Sequence, residues 1–337
     1  MDNFIHRLQK ELQSGEFEEE YINLVVRCAE KLLENKVLVI FDLNHLSLYL
    51  EISPDKISSM IQNSFLLYKE VKIKKKNGLH RVIHIPSKEL KKIQKFILEN
   101  ILYSIGCSIA ATGFKRDSSI KDNAIRHVNN KYILNLDLID FFTNIKFEKI
   151  KKVFKDIGYN EDVSNILANL CTVKGFLPQG ASSSPYLSNL VCRKLDNVLS
   201  DFANRNQLNY TRYADDITFS SDNESIKDIK KIYDLIISEG FKINEKKTRL
   251  LSSNKRQEVT GLVVNNKVNI NRDYIKKLRS EIYFCLKFGV NGHMSRKGIT
   301  YSNYKNYLYG KAYYIKMINK EKGENFLKDL DKINWEY

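Results

Sequence analysis

Acidic residues stand beside two apolar segments in the middle of this 337-residue chain. Asp137 ends the apolar segment 133–137, and Asp215-Asp216 precede the β-branched and aromatic segment 217–219. Short segments of this kind predict buried strands. Carboxylates that meet at the ends of buried strands repel each other, and a bound divalent cation removes that cost.

The chemistry that such an acidic cluster favours is nucleotidyl transfer with magnesium. Mg²⁺ suits carboxylate oxygens in combination with substrate phosphates. Two such ions ~3.5–4 Å apart can activate an attacking hydroxyl and stabilise a leaving pyrophosphate. Taken alone, Asp215-Asp216 is more simply explained as a solvated hairpin turn, so the metal hypothesis depends on further motifs.

A loop of small residues lies between the acidic segments. Residues 177–185 read LPQGASSSP, and small residues let a backbone approach a nucleic-acid strand closely. Ser184 as N-cap and Pro185 after it predict a helix start that favours phosphate. The order of strand-end Asp, LPQGxxxSP and YADD resembles that of reverse transcriptases, and within them the bacterial retron reverse transcriptases. The resemblance covers nearly the whole chain and implies an α+β right-hand polymerase fold.

The resemblance also implies roles for the acidic residues. Asp137 and Asp215 would be the ligands shared by two Mg²⁺ ions, with Asp216 as a nearby supporting acid and the Leu138 carbonyl as a further contact. Phe142 matches the steric-gate position that excludes a ribose 2′-OH, and packing in the core is its alternative role.

Two further palm residues are implied in the same way. Gln179 matches the residue that lines the nucleotide pocket. Residues 240–248, GFKINEKKT, resemble a later palm motif. Within it, Lys247 would neutralise or protonate the leaving pyrophosphate, and a solvated lysine in a basic run is the alternative.

Basic residues surround a predicted hairpin turn at Asn77-Gly78. Arg81 matches the triphosphate-binding arginine of the family, and a guanidinium suits bidentate phosphate contact. Lys74 or Lys75 is its expected companion for the deoxynucleoside triphosphate.

Two signatures indicate the retron group. Asn123 and His127 belong to the pattern Asn-Ala-x-x-His, and residues 259–261 read VTG. The spacing of Asn123 and His127 predicts one shared helix face, which favours a structural role over chemistry.

The elements that must position these residues follow from apolar spacing and turn signals. Residues 1–66 are predicted to be helical, including a helix that starts at Ser53-Pro54. The next predicted elements are a hairpin over 72–85, a helix over 88–102, a strand over 132–138 and a hairpin over 208–220. The predicted parts are an N-terminal helical segment 1–66, fingers and palm 67–250, and a helical thumb 251–337.

Charge is distributed unevenly over these parts. The net charge is +15, yet residues 1–66 hold 6 Lys+Arg against 11 Asp+Glu, and residues 249–337 hold 18 against 8. Nine of the 19 tyrosines follow position 270. A basic, aromatic segment can bind phosphates and pack on sugars or bases. The alternative is a helical subdomain with Tyr in its core and Lys on its solvent face, and both can hold at once. The RNA-binding candidates from composition and spacing are Tyr304, Lys305, Tyr307 and Lys311.

Cysteine usage and hydropathy indicate a cytoplasmic protein without a membrane partner. The five cysteines form no CxxC pair, which argues against a disulfide framework and a zinc knuckle. The N-terminus MDNFIHRLQKELQ has no apolar core of a signal peptide, and no segment approaches the ~20 apolar residues of a membrane helix.

The resemblance implies an RNA-directed DNA polymerase of the retron type. Such an enzyme binds its own structured noncoding RNA, primes from a guanosine 2′-OH, and copies part of that RNA into a branched single-stranded DNA. It is implied to act in anti-phage defence with an effector protein encoded nearby. The alternatives are an RNA-binding scaffold that holds an effector, and a non-retron enzyme of the abortive-infection or group II intron-like kind.

Overall fold

The computed structural model describes residues 2–74, 78, 80–300 and 302–335. Lys75, predicted to contact the triphosphate, lies outside the described residues, as does Asn77 of the predicted turn.

The N-terminal part is helical, as predicted. Its helices are α1 (Asp2–Ser14), α2 (Glu19–Glu34), α3 (Leu43–Leu50) and α4 (Pro54–Gln62). Ser53 precedes α4 as its N-cap, and Pro54 occupies the first turn, where its missing N–H costs nothing. The helix ends before Asn63, and a 3₁₀ turn, Ser64–Leu67, continues the chain.

The predicted first hairpin is confirmed. Strands β1 (Tyr68–Lys74) and β2 (His80–Pro86) pair antiparallel, with Lys74 opposite His80. Helix α5 (Lys88–Asn100) follows directly, and the hydroxyl of its N-cap Ser87 accepts the Leu90 N–H.

An antiparallel sheet forms the centre of the molecule. Its strands are β3 (Tyr132–Asp137), β4 (Asn209–Tyr213), β5 (Asp216–Ser221) and β6 (Arg249–Ser252). The strand order is β4-β5-β3-β6, so β3 lies between β5, which begins at Asp216, and β6, which directly follows the motif 240–248. This mixture of helices and antiparallel strands confirms the predicted α+β class.

Helices surround this sheet and connect its strands. They are α6 (Ile120–Ile125), α7 (Phe141–Asn144), α8 (Phe147–Ile157), α9 (Glu161–Cys171), α10 (Ser184–Val191), α11 (Arg193–Arg205) and α12 (Ile229–Ser238). Two predictions are wrong in detail. Ser183, not Ser184, is the N-cap residue of α10, and α6 ends at Ile125, so His127 lies beyond the helix that was expected to carry it.

The C-terminal part ends in helices, as predicted, but it begins with three short strands that were not predicted. The elements are β7 (Glu258–Val259), β8 (Leu262–Val263), β9 (Asn269–Ile270), α13 (Arg272–Lys297), α14 (Tyr304–Ile318) and α15 (Lys320–Asp331).

Helix α13 is kinked at Gly289, whose φ of 73° is left-handed and favours glycine. The Glu281 carboxylate bridges the kink, because it contacts the His293 imidazole and accepts a hydrogen bond from the Lys297 ammonium at 2.7 Å. It also accepts the hydroxyl of Tyr304 from α14. A half-buried carboxylate with these donors stabilises one angle between the two halves of the helix.

Among the described residues, buried apolar side chains form two clusters. The first joins N-terminal helices to the central sheet, with Leu32 and Leu134 as members. The second joins the C-terminal helices to β7–β9 and includes Ile133 from the other face of β3. Because successive side chains of β3 face opposite sides of the sheet, this strand contributes to both clusters. The part boundaries at 66 and 250 stay a prediction.

The described residues include no helix that is both long enough and apolar enough to cross a membrane.

Candidate active site

The acidic residues meet where β3 and β5 end. Asp137 is the last residue of β3 and pairs in register with Asp216, the first residue of β5. The Leu138 N–H donates to the Asp215 carbonyl at 3.0 Å, which joins the β4–β5 turn to the chain leaving β3. Residues directly opposite in an antiparallel pair have neighbouring side chains, so the fold brings Asp137 and Asp216 together as predicted.

Asp137 is held by the later palm motif. Lys247 Nζ donates to Asp137 Oδ1 at 2.7 Å, and Asn244 Nδ2 donates to Oδ2 at 3.3 Å. The Asn244 N–H also donates to the Asp137 carbonyl at 2.8 Å. Lys247 is therefore an ion-pair partner of the first acidic residue, although its side chain is 60% exposed, and its role toward pyrophosphate stays a prediction.

Two carboxyl groups of the cluster, Asp215 and Asp216, have raised pKa values. Desolvation in the cleft, with repulsion from Asp137, raises the pKa of Asp215, while the positive charges of Arg81 and Lys247 oppose the rise. Desolvation, followed by repulsion from the neighbouring carboxylates, raises the pKa of Asp216 to about 6, although its side chain still reaches solvent. A nearby cation therefore favours the ionised form of both groups.

The donor chemistry of this cluster fits Mg²⁺, since carboxylate oxygens whose mutual repulsion raises their pKa gain from a divalent cation. Over the described ranges, however, no group of three or more His, Cys, Asp and Glu side chains is close enough to hold a metal ion. Metal binding by Asp137, Asp215 and Asp216 stays a prediction.

The β1–β2 hairpin carries the predicted triphosphate contacts. Arg81 and Lys74 are both exposed on it, and Arg81 lies near enough to influence the Asp215 carboxylate. The two residues come from opposite strands, since Arg81 pairs with Ile73 and Lys74 with His80. Both residues thus lie near the turn, but on opposite faces of the hairpin, because successive pairs along the strands face opposite sides.

The loop with Gln179 is docked on the same hairpin. The His84 N–H of β2 donates to the Gln179 carbonyl at 2.8 Å. A Cβ at Gly180, whose φ is 126°, would lie 2.7 Å from the His84 carbonyl oxygen and 2.9 Å from Ile83 Cγ2. This close backbone approach explains why a glycine occupies position 180.

Phe142 belongs to an aromatic group beside the acidic hairpin, which is the β4–β5 pair with Asp215 and Asp216 at its turn. It is half-buried, and its ring lies 6.1 Å from that of Phe114 and 5.3 Å from that of Phe141. The Phe114 ring in turn lies 6.4 Å from that of Tyr213, the residue before the acidic turn. Phe142 is therefore both a packing residue and a neighbour of the site.

The sequence did not predict that residues 112–114 contact the turn between β4 and β5. A Cβ at Gly113 would lie 2.9 Å from the Ala214 nitrogen and 3.0 Å from Tyr213 Cγ. The Thr112 N–H donates to the Arg212 carbonyl at 2.9 Å, so this segment runs along β4. A lone glycine between Thr112 and Phe114 gives no periodic signal, which is why the sequence did not single it out.

The two retron signatures meet in the structure. Asn123 Oδ1 accepts the Thr112 hydroxyl at 2.8 Å, and Asn123 Nδ2 lies 3.4 Å from the Thr260 hydroxyl of the VTG signature. His127 is fully buried and lies 2.7 Å from each of the hydroxyls of Thr211 and Ser220, on β4 and β5. His127 thus joins β4 to β5 within the core, and the structural role expected for Asn123 and His127 stays a prediction.

A cavity of about 500 Å³ opens beside the acidic residues. Its lining includes Asp137, Asp216, Tyr213, Lys247 and Thr260. The cavity therefore lies between the carboxylates and the β7–β8 turn, and both acidic and basic groups face it.

The thumb candidates do not share one surface. Tyr304 is buried, with 0% of its surface exposed, and donates to Glu281, which corrects its prediction as an RNA contact. Lys311 Nζ lies 4.2 Å from the ring centroid of Tyr307, which is 43% exposed. Lys305 instead lies beside Trp335, at 5.9 Å from its ring centroid.

Comparison with known proteins identifies the family. The reverse transcriptase (RNA-dependent DNA polymerase) family matches residues 73–266. The retron Ec86 reverse transcriptase of Escherichia coli is 39% identical over 258 residues, which cover 74% of this chain and 80% of that protein. The retron Mx162 reverse transcriptase of Myxococcus xanthus is 32% identical over 297 residues, covering 77% of this chain and 60% of that protein. The structure of apo telomerase from Candida tropicalis, at 12% identity and a TM-score of 0.47, covers 80% of this chain and 58% of that one.

The chain belongs to the reverse transcriptases and, within them, to the retron reverse transcriptases. It is an RNA-directed DNA polymerase with the right-hand polymerase fold, as its motif order predicted.

Proposed function

We propose that Asp137, Asp215 and Asp216 are the carboxylates that bind two Mg²⁺ ions for nucleotide addition. The observation that carries this proposal is the register pair of Asp137 and Asp216, with Asp215 tied to the same strand end. When bound, the ions would supply charge stabilisation for the attacking hydroxyl and the leaving pyrophosphate.

The surrounding side chains have complementary roles in this proposal. Arg81 and Lys74 bind the triphosphate in this proposal. The support for Arg81 is that its positive charge acts on the Asp215 carboxylate, and a guanidinium at that place attracts phosphate oxygens. Gln179 lines the nucleotide pocket, and Phe142 excludes a ribose 2′-OH. Lys247 stands next to Asp137, from where its ammonium can neutralise charge that develops on pyrophosphate.

The template in this proposal is the cognate noncoding RNA of a retron. Priming from a guanosine 2′-OH joins the DNA product to the RNA by a 2′,5′ branch. The cavity beside Asp137 and Asp216 offers room for the primer end. Exposed Tyr307 with Lys311, and Lys305 on another side of α14, are the thumb residues proposed to contact RNA.

Anti-phage defence in the cytoplasm with an effector protein completes the proposal. The acidic N-terminal segment exposes large apolar side chains at Phe4 (44%), Phe17 (51%), Tyr21 (48%) and Leu24 (66%). Exposed apolar side chains in an acidic segment suit a partner surface with apolar and basic groups. Leu24→Arg should therefore abolish capture of the protein encoded alongside and preserve DNA synthesis, and capture equal to wild type would refute this surface.

The catalytic assignment is tested by Asp215→Asn in Mg²⁺-dependent extension of a DNA primer on an RNA template. We expect loss of synthesis with RNA binding retained, because the substitution removes one carboxylate charge and nothing from the thumb. The matched control is Asp140→Asn. Asp140 is an exposed acid in the same segment, whose φ of 49° asparagine also adopts readily. Full synthesis by Asp215→Asn would refute the metal assignment.

The retron product is tested on nucleic acid that copurifies when the gene is expressed with its flanking DNA. After RNase and then debranching enzyme, a discrete single-stranded DNA whose mobility shifts on debranching is expected. RNA without such DNA would favour the scaffold or a non-retron enzyme.

A further inference from the structure

A buried ion pair lies directly behind the acidic turn. Arg212 of β4 and Asp196 of α11 both have 0% exposed side chains. Arg212 Nε donates to Asp196 Oδ1 and Nη2 donates to Oδ2, each at 2.7 Å. Burial of two charges is costly, and an apolar pair of the same size often stabilises a fold equally well. Stability alone therefore does not account for an arginine at this position.

The remaining nitrogen of the guanidinium reaches the turn. Arg212 Nη1 donates to the Ala214 carbonyl at 3.1 Å and to Asn189 Oδ1 at 3.2 Å. Ala214 has a φ of 57°, a left-handed conformation that its Cβ disfavours. Such a conformation persists only where surrounding contacts fix it, and the guanidinium supplies one of those contacts.

The backbone of Asp215 is consequently fixed on both sides. The Ala214 carbonyl belongs to the peptide plane that leads into Asp215, and Arg212 holds it. The Asp215 carbonyl accepts the Leu138 N–H at 3.0 Å. Because peptide units are planar, these two bonds leave mainly the side-chain torsions of Asp215 free.

The strand that carries Arg212 is itself held. The Arg212 N–H donates to the Ala110 carbonyl and the Thr112 N–H donates to the Arg212 carbonyl, both at 2.9 Å. Asn189 Nδ2 donates to the Gly113 carbonyl at 2.8 Å, so the residue that contacts the guanidinium also anchors the flanking segment. A shortened side chain at position 212 cannot be compensated by a shift of the strand.

We propose that Arg212 is a positioning residue for nucleotide addition. It holds the Ala214 carbonyl and thereby sets the direction of the Asp215 carboxylate, while Asp196 fixes the guanidinium. The inference rests on the proposed function, since it assumes that Asp215 takes part in the chemistry.

Arg212→Lys is the first test, because it keeps the buried positive charge. One ammonium cannot form the two-bond contact with Asp196 and also reach Ala214 as the planar guanidinium does. The rate constant and amplitude of single-nucleotide addition are measured in a single turnover with enzyme in excess over primer–template. We expect the rate constant to fall on the order of 10- to 100-fold, as for a reacting group displaced by about 1 Å, with the amplitude unchanged.

The matched control is Tyr210→Phe. The Tyr210 hydroxyl donates to Asp196 Oδ1 at 2.8 Å, so this variant also weakens the buried network, but it leaves the Arg212–Ala214 bond in place. It should lower the melting temperature and keep the wild-type rate constant. Hydrogen exchange without metal gives a readout independent of activity. In Arg212→Lys, amides 213–217 should exchange faster, while those of α8 do not change.

A second variant keeps the test decisive if Arg212→Lys does not fold. Arg212→Gln combined with Asp196→Asn removes both buried charges, so no unpaired charge remains, and we again expect a slow rate constant at full amplitude. A wild-type rate constant in either folded variant, or faster exchange throughout the protein, would overturn the positioning role. Asp215→Asn is measured in parallel, since its activity alone would refute the catalytic assignment of Asp215 instead.

Discussion

Acid should destabilise this enzyme through His127, and the size of the effect follows from the burial of its ring. Burial, with a smaller contribution from the charge of Arg126, lowers the pKa of His127 to about 3 from an ordinary value of 6.5. Its ring nitrogens face the hydroxyls of Thr211 and Ser220, which can accept from a charged ring as well. The loss of hydration therefore dominates the shift.

The lowered pKa of His127 makes the folded state less stable in acid. Below pH 6.5 the unfolded chain binds a proton at His127 that the folded chain does not, so stability is lost as pH falls toward 3. At pH 5 the loss from this one group is about 2 kcal/mol relative to neutral pH. Because Thr211 and Ser220 lie on β4 and β5, the lost stability concerns the strands that carry the acidic turn.

Urea unfolding at pH 7.5 and pH 5, followed by circular dichroism, checks this prediction in wild type and in His127→Gln. Glutamine can hydrogen-bond but does not titrate, and all other groups titrate in both proteins. The acid-induced loss of unfolding free energy should therefore be smaller in the variant by about 2 kcal/mol. Equal losses in the two proteins would show that His127 is not held neutral by the fold.

Three further predictions concern the site and the thumb. Phe142→Ala should admit ribonucleotides more readily in a competition assay with deoxyribonucleotides, and unchanged sugar selectivity would leave Phe142 with packing alone. Gly180→Ala should slow nucleotide addition, because its Cβ would lie 2.7 Å from the His84 carbonyl oxygen. A wild-type rate would show that β2 can shift away from the added methyl group without affecting the site. Tyr304→Phe should lower the free energy of unfolding by about 1.5–3 kcal/mol, as Glu281 loses a donor, and should leave RNA affinity unchanged, so weakened RNA binding would restore Tyr304 as a contact.

Local features were predictable from the sequence. The hairpin at β1–β2 follows from alternating apolar residues on either side of a turn, and the start of α4 follows from Ser53-Pro54. Both depend on neighbours in the chain, whose conformational preferences are set by local sterics and hydrogen bonds. The acidic residues were identified because their motifs are short and ordered.

Helix faces and helix ends were less predictable. Tyr304 was expected to contact RNA from composition and spacing, yet its ring is buried in the C-terminal apolar cluster and Glu281 accepts its hydroxyl. His127 was expected on the helix that carries Asn123, but α6 ends at Ile125 and the imidazole turns into the sheet. In both cases a contact from a distant segment outweighed local periodicity.

The residues that can do chemistry, and their order, were predictable because residue type and motif spacing are properties of the chain. Which of these residues touch depends on how distant segments pack. Lys247 reaches Asp137, Asn123 reaches Thr260, and Arg212 reaches Ala214 behind the turn, where no motif marks it. Pairings between distant segments arise from the packing of the whole core, which fixes side-chain directions that sequence spacing leaves open.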